Sequence, residues 1–563
     1  MSADNDLIID EGDVPDSSPA AFAGQVMSGT SGDVLPSLPD KPTLRLNDAE
    51  FKETCEIAER ILSPSVYAQG GNLVRIGHAF EVRESDALTD KGRTIGFDGI
   101  ERNIKQAFIL PVTKEYIERE LSGLADIQKP MAAGGWKKVS CPERLANNIL
   151  RHGNSSAFRP LAGIARAPFI RPDGSVADEP GYDARSQTLY IPNDAFPELA
   201  ANVSKDDAHF ALMELLDPFK QFPFTTDGAR SAFLAHILTE AARVSLDRVP
   251  CWFYTAQYAG TGKSLLSEMA ATIVHGTEPA LRDWLDEQEL RKSLFSSAVA
   301  GDRSIAFDNL PKGHKVRSAT LCKFITTRTS NERVLGETRN ITVPNLAVVS
   351  LSGNNCTPVS DLARRSLVVR LDADMTSAEL KERSFQIEDL RHYVLEHRVE
   401  LLMATLTILR GHIQSGHKST KVPMQSFEQW SRMVRDALLW LDLDDPLETQ
   451  AEEADDETGS ANEAFALLAQ HFGDRDFLAS DISQLVNGLS DTSSTLQAAL
   501  LKAGCDESHS TSKTGYWLRD HRDTICGGFK LVQITSKSHG GGKKWRLKSR
   551  TQPASDDLTG DLT

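Results

Sequence analysis

Residues 251–276 read CWFYTAQYAGTGKSLLSEMAATIVHG. Six strand-forming residues run into a glycine-rich turn, then Lys-Ser, then a stretch of helix formers. Strand, turn and helix follow one another with no slack, so the strand must sit in a sheet that the helix covers. The amides of the turn and of the first helical turn then converge on one point, where an anion is favoured. In a P-loop those amides cradle phosphates, the Lys reaches the β- and γ-phosphates, and the Ser hydroxyl ligates Mg²⁺. Gly260, Thr261, Gly262, Lys263, Ser264 and Leu265 are therefore the expected ATP-binding residues, with Ser264 a metal ligand. The full pattern G-x-x-x-x-G-K-S wants a glycine at 257, where this chain has Gln257. Much of the cradle comes from the backbone of 260–264, which the substitution leaves in place.

Three later segments supply what a triphosphate site needs besides the cradle. RSIAFDNLP predicts an apolar strand with Asp308 at its tip, the place for a carboxylate that organises Mg²⁺. NLAVVSLSGNN predicts a third apolar strand ending in Asn354 and Asn355, neutral amides suited to positioning the attacking water. DLARRSLVVRLD places Arg364 and Arg365 just before a fourth strand. Arginine is always charged and forks onto phosphate oxygens, so either residue suits a γ-phosphate held by a neighbouring subunit. Asp361 is the ion-pair alternative for this pair of arginines.

In this order the motifs resemble those of superfamily 3-type AAA+ helicases, the primase-helicase ATPases of phages, plasmids and integrated elements. AGTGKS resembles Walker A, SIAFDN Walker B, VVSLSGNN the sensor 1 strand, and DLARR the arginine-finger segment. The stretches RPDGSVADEPGYD and VLGETRNITVP also look like segments of mobile-element members. The close match covers roughly 250–375 and a looser one about 60–440. The resemblance implies an AAA+ P-loop ATPase core with a parallel sheet flanked by helices, ATP and Mg²⁺ between subunits, and a homo-oligomeric ring, a hexamer favoured, with single-stranded DNA through its pore. It implies an ATP-dependent DNA helicase or translocase that replicates a mobile element. One departure bears on chemistry: Asn309 stands where the family has a second acid, and a carboxamide cannot accept a proton as a base. Glu268, Asp302, Glu332 and Glu337 are the candidate replacements. The same departure keeps open a second reading, a DNA-bound AAA+ switch with weak hydrolysis that recruits or regulates partners.

TTRTSNERVLGETRNITVP reads as a hairpin turning at Gly336, with strands Val334-Leu335 and Asn340-Ile341-Thr342. By the resemblance it projects into the pore, where Arg333 and Arg339 would grip phosphates, with Lys323 nearby. Charge locates a second contact. The net charge is −17, yet residues 513–550 carry ten Lys/Arg against two Asp, while 442–457 carry nine acids and no base. Four short helices after 461, then GFKLVQITS, a glycine turn and KWRLKS, predict a winged-helix domain. Its Lys513, Arg519 and Arg522 would face duplex DNA, with Lys537, Lys543, Lys544 and Arg546 on the wing.

The expected organisation is a disordered acidic tail at 1–42, a mixed α+β region at 43–205, a helical lead-in at 206–248, and the ATPase core at 249–375. A helical extension at 376–441, an acidic linker at 442–460, the winged-helix-like domain at 461–550 and a polar tail at 551–563 follow. Asn47 is expected to cap the first helix, YAQGGNLVRIG to form a hairpin about Gly70-Gly71, and residues 169–192 to be short strands and tight turns. No paired D-x-D on a clear strand marks a primase centre in the first 250 residues. The acidic N-terminus, the absence of a membrane-length apolar run and seven cysteines with no C-x-x-C predict a cytoplasmic protein without disulfides or structural zinc.

Overall fold

In the computed structural model, apolar residues of the N-terminal region gather under a small three-stranded sheet. The structure describes residues 41–47, 49–78, 93–95, 101–103, 107–153, 155–333, 340–450, 455–488, 491–534 and 543–549. The expected tails, Lys41 and Pro42 apart, lie outside these residues. The described part is mixed α/β and divides into two compact units: 1–358 with 365–449, and 359–364 with 450–563. The second division falls inside the stretch expected to be a linker.

The first unit begins with β1 (Thr43–Arg45) and α1 (Phe51–Leu62). Asn47 does not cap α1. The helix starts four residues later, and the Asn47 carboxamide instead accepts from the Ala49 amide and donates to Glu50. Strands β2 (Val66–Gln69) and β3 (Asn72–His78) form the expected hairpin. Gly70 and Gly71 both have positive φ, which the two-residue turn requires. Next come β4 (Ala107–Pro111), α2 (Lys114–Leu124), β5 (Asp126–Pro130), β6 (Trp136–Lys138) and α3 (Glu143–Arg151). Strand β1 pairs parallel with β5, and β5 antiparallel with β6. Leu44 and Ile127 point from this sheet into a core shared with α1, α2 and α3. Residues 169–190 are short strands and turns, as expected.

Helices α4 (Lys205–Leu216) and α5 (Asp227–Ala242) lead into the main sheet. Its elements are β7 (Cys251–Ala256), α6 (Lys263–His275), β8 (Ala280–Arg282), α7 (Glu287–Ala300) and β9 (Ser304–Leu310). They continue with α8 (Ala319–Ile325), the hairpin strands β10 (Thr329–Arg333) and β11 (Asn340–Pro344), and then β12 (Val348–Asn354) and β13 (Ser366–Leu371). Five strands lie parallel in the order β8-β9-β12-β7-β13. Strand β7 is wholly buried and β12 nearly so, as a sheet covered on both faces demands. Register puts Trp252 beside Ser350 and Tyr254 beside Ser352, hence on one face. That face meets α5 through Trp252, whose indole donates to Ala232, and α6 through Ser267, bonded to Ser350. The region after the sheet is helical, as expected, and includes α9 (Leu390–Glu396) and α10 (Arg398–Ser415).

The second unit contains α11 (Asp455–Phe472), β14 (Phe477–Leu478), α12 (Ala479–Val486), α13 (Asp491–Lys502) and α14 (Thr511–Asp520). Strands β15 (Ile525–Cys526), β16 (Phe529–Ile534) and β17 (Lys544–Ser549) complete it. The expected two-stranded hairpin is β16 and β17, but the sheet has four strands, because β14 pairs with β17 and β15 with β16. The acidic stretch is only partly a linker, since α11 begins at Asp455. Among the described residues no helix is long and apolar enough to cross a membrane.

Candidate nucleotide site

The parallel sheet brings the carboxyl ends of β7, β9 and β12 to one edge. The chain leaves β7 past β12 toward β8, and leaves β12 past β7 toward β13. Adjacent strands whose connections run in opposite directions open a crevice at their carboxyl ends. The glycine turn lies in that crevice. Gly260 and Gly262 have φ of 86° and 88°, values that favour glycine. A Cβ at Gly262 would also press to 2.5 Å from the Phe222 ring. Gln257 is not among the residues of positive φ, so the loop needs no glycine at that position. Gly262 precedes α6 without a side-chain cap, which leaves the amides of its first turn to the crevice.

Ser264 and Asp308 meet there. The Ser264 hydroxyl donates to Asp308 Oδ1 at 2.8 Å, and Ser352 also bonds that oxygen while lying 3.1 Å from Ser264 Oγ. Asp308 is not the last residue of its strand. Phe307 pairs with Leu351 and Leu310 with Gly353, so Asp308 and Asn309 together oppose Ser352. This is a bulge, which turns the strand and re-aims its side chains. Asn309 takes the extra residue's conformation, with φ of 57°, and its amide donates to Asp308 Oδ1 at 2.7 Å. Lys263 is half-buried beside the pair. Burial lowers its ammonium below the usual value, and the Asp308 carboxylate acts against that. A hydroxyl and a carboxylate in contact, a lysine and open helix amides make a donor set that fits a phosphate with a hard divalent cation.

Asn354 ends β12 opposite Ala256, and its buried Oδ1 has no hydrogen-bond partner among the described residues. Asn355 has φ of 51° and donates its amide to the Ala256 carbonyl. Both therefore sit at the same edge as the glycine turn. The arginines do not. Arg365 precedes Ser366, which pairs with Cys251 at the opposite end of β7. Its guanidinium reaches the Cys322 carbonyl and Thr326 Oγ1, each at 3.3 Å. Arg364 lies in the other compact unit and forms the ion pair with Asp361 that the sequence offered as an alternative.

Three of the four candidate bases are engaged elsewhere. Both Glu268 oxygens accept from Arg391 of α9, at 2.5 and 2.6 Å. Asp302 stands before the amino end of β9 and pairs with Arg282. Glu332 on β10 lies 3.4 Å from Arg291 and 4.0 Å from Lys323. Glu337 lies outside the described residues. Ser352 was not anticipated, although a signal existed: Ser350 and Ser352, two apart in an apolar strand, must share a face.

The hairpin forms with Arg333 opposite Asn340, and Arg333 is exposed. Its tip, with Val334, Leu335, Gly336 and Arg339, lies outside the described residues. In the second unit Lys513 pairs with Asp506, Arg522 with Asp523 and Arg546 with Asp476. Arg519 lies 4.2 Å from the Tyr516 ring centre, while Lys543 and Lys544 are exposed. Lys537 lies outside the described residues. The last of the four expected short helices, α14, ends at Asp520, after which Asp523 turns to φ of 65° and Ile525 enters a strand. Compared with known proteins, the chain matches no family model and no curated protein.

Proposed function

We propose that the chain is an ATP hydrolase that works on DNA, as a helicase or translocase serving replication of a phage, plasmid or integrated element. The observation that carries the reading is the meeting of Ser264 and Asp308 at 2.8 Å, with Lys263 alongside, at the edge where the glycine turn opens. Ser264 and Asp308 are the pair that would hold Mg²⁺, which when bound neutralises charge on phosphate oxygens. The amides of Gly260 to Leu265 orient the phosphates, and Lys263 carries positive charge to them. Asn354 or Asn355 positions water, having a carboxamide at the strand tip. Arg364 and Arg365 serve the site of an adjoining copy, since Arg365 lies at the far end of its own sheet. This makes a ring, a hexamer favoured, the working form. Arg333 and Arg339 contact a single strand, and the basic residues of the second unit contact duplex.

Asn309 favours a second reading, a DNA-bound switch that binds ATP and turns it over slowly. The candidate carboxylates already placed are all paired with cations. ATP turnover of the full chain with and without single-stranded DNA, measured beside unwinding of a forked duplex, separates the two. Strong stimulation with unwinding is the expected result. Tight ATP binding without stimulated turnover or unwinding leaves the switch in its place.

A further inference from the structure

A second polar cavity lies at the other end of the main sheet. Helix α6 starts at the glycine turn and ends at His275, near the amino end of β9. There a cavity of about 460 Å³ is lined by His275, Thr277, Arg166, Arg303 and Ser304, with β4 along one wall. That volume suits a small ligand. Two of the lining side chains carry polar atoms that the protein does not answer. Ser304 is 5 % exposed, and its Oγ has no hydrogen-bond partner among the described residues. Arg303 donates through Nε to the Ile164 carbonyl at 3.0 Å, while its buried Nη1 and Nη2 have no partner among the described residues. A guanidinium edge shielded from water and left unbonded is costly, and a bound ion is one of the few things that relieves it.

The surrounding charges point the same way. Burial pushes the Arg303 guanidinium down to about 9, and the charges of Arg243 and Arg166 act in the same direction, against Glu240. Arg166 donates to Thr277 Oγ1 and to the Ala107 carbonyl, each at 3.2 Å, and both acceptors are neutral. The acids nearby are turned to other partners. Asp302 pairs with Arg282 at 2.9 Å, and Glu240 lies 2.9 Å from His275 Nε2 and 3.4 Å from His236 Nε2. Glu278, also in the lining, is exposed.

We propose that this cavity binds phosphate, free or as the terminal group of a small ester, between Arg303, Arg166 and the Ser304 hydroxyl. Guanidinium groups fork onto phosphate oxygens, and a hydroxyl donates to one more. The donors enter from separate segments of the chain, which a tetrahedral oxyanion answers more fully than a planar carboxylate does. Seating it asks Arg303 to turn its Nη edge into the cavity while Nε keeps the Ile164 carbonyl. The site lies at the opposite end of the parallel sheet from the glycine turn and does not depend on ATP binding there.

The test follows melting temperature and calorimetric binding of the full chain, without nucleotide or Mg²⁺, as inorganic phosphate replaces chloride at constant ionic strength. Phosphate is expected to bind the wild type and to raise its melting temperature. Arg303→Met should weaken that binding about tenfold or more, the size of a lost charge-assisted hydrogen bond, and Ser304→Ala should weaken it severalfold. Ser304→Ala removes one buried oxygen and carries the test should Arg303→Met fail to fold. Lys263→Ala should bind phosphate as the wild type does, which separates this cavity from the glycine turn. Titrating Lys263→Ala with adenosine monophosphate distinguishes the sources: tighter Arg303-dependent binding than that of phosphate identifies an ester, and weaker binding the free ion. No binding of phosphate by the wild type, or binding that survives both Arg303→Met and Ser304→Ala, overturns the proposal. So does binding lost in Lys263→Ala, which would put the phosphate at the glycine turn.

Discussion

Asp308 reaches Ser264 because β9 carries one residue more than its neighbour across the bulge. The residue types of the site were legible in the sequence, since glycine, lysine, serine and aspartate occur there in an order that few other chemistries need. The bulge was not, because it arises from register against β12, a strand forty residues away along the chain that pattern reading treats separately. Asn309 pays for its place with left-handed backbone that asparagine tolerates and most residues do not. That gives Asn309→Glu two expected effects. The new carboxylate beside Asp308 raises ATP turnover, and the φ of 57° lowers the melting temperature by a few degrees, a cost of about 1 kcal/mol. Turnover and thermal melts on one preparation check both. An unchanged rate with a lowered melting temperature would mean that the base comes from elsewhere.

The elements themselves were mostly legible. The Gly70-Gly71 pair marked the β2–β3 hairpin, and the run of helix formers after the glycine turn marked α6. What the sequence could not announce were edges set by tertiary pairing, such as β14 against β17, and helix ends set by backbone turns, such as Asp523 after α14. The β2–β3 turn has a role beyond its own hairpin. A Cβ at Gly70 would overlap the Thr342 carbonyl of β11, and φ there is 56°. Gly70→Ala is therefore expected to destabilise the first unit by about 1–3 kcal/mol, read by urea unfolding. Gly71→Ala, at the other positive-φ position of the same turn, gives the comparison for the backbone contribution.

Helix α10 carries a pH dependence. His412 is 3 % exposed, and neither ring nitrogen has a hydrogen-bond partner among the described residues. Burial holds it down at about 4, against the Asp436 carboxylate, which acts to raise it. The unfolded chain takes up this proton near pH 6.5, while the folded chain refuses it down to about 4. Stability is thus full above the unfolded value and falls as pH drops through that interval, by about 3 kcal/mol in all. His412→Met should flatten the dependence across the interval in chemical unfolding. A slope identical to the wild type would assign it to other groups.

At the scale of the whole molecule, net charge misleads. The chain is acidic overall, yet cations collect on the β5–β6 hairpin and in the second unit. Composition alone therefore said less than the position of each charge. The division point at 449–450 falls within the run of acids expected to be a linker. The path of the chain through Arg364 and Arg365 was not, because two adjacent arginines belong to different units.

In the function proposed, Lys263, Ser264 and Asp308 form one Mg²⁺-dependent triphosphate site. The direct measurement is equilibrium binding of a non-hydrolysable ATP analogue to the full chain, with Mg²⁺ and with chelator, in wild type, Lys263→Ala and Asp308→Asn. Expected are tight binding by the wild type with Mg²⁺, at least tenfold weaker binding by Lys263→Ala, and loss of the Mg²⁺ effect in Asp308→Asn, all three melting within a few degrees of one another. Equal affinity in all three proteins, or no binding by the wild type, would contradict it.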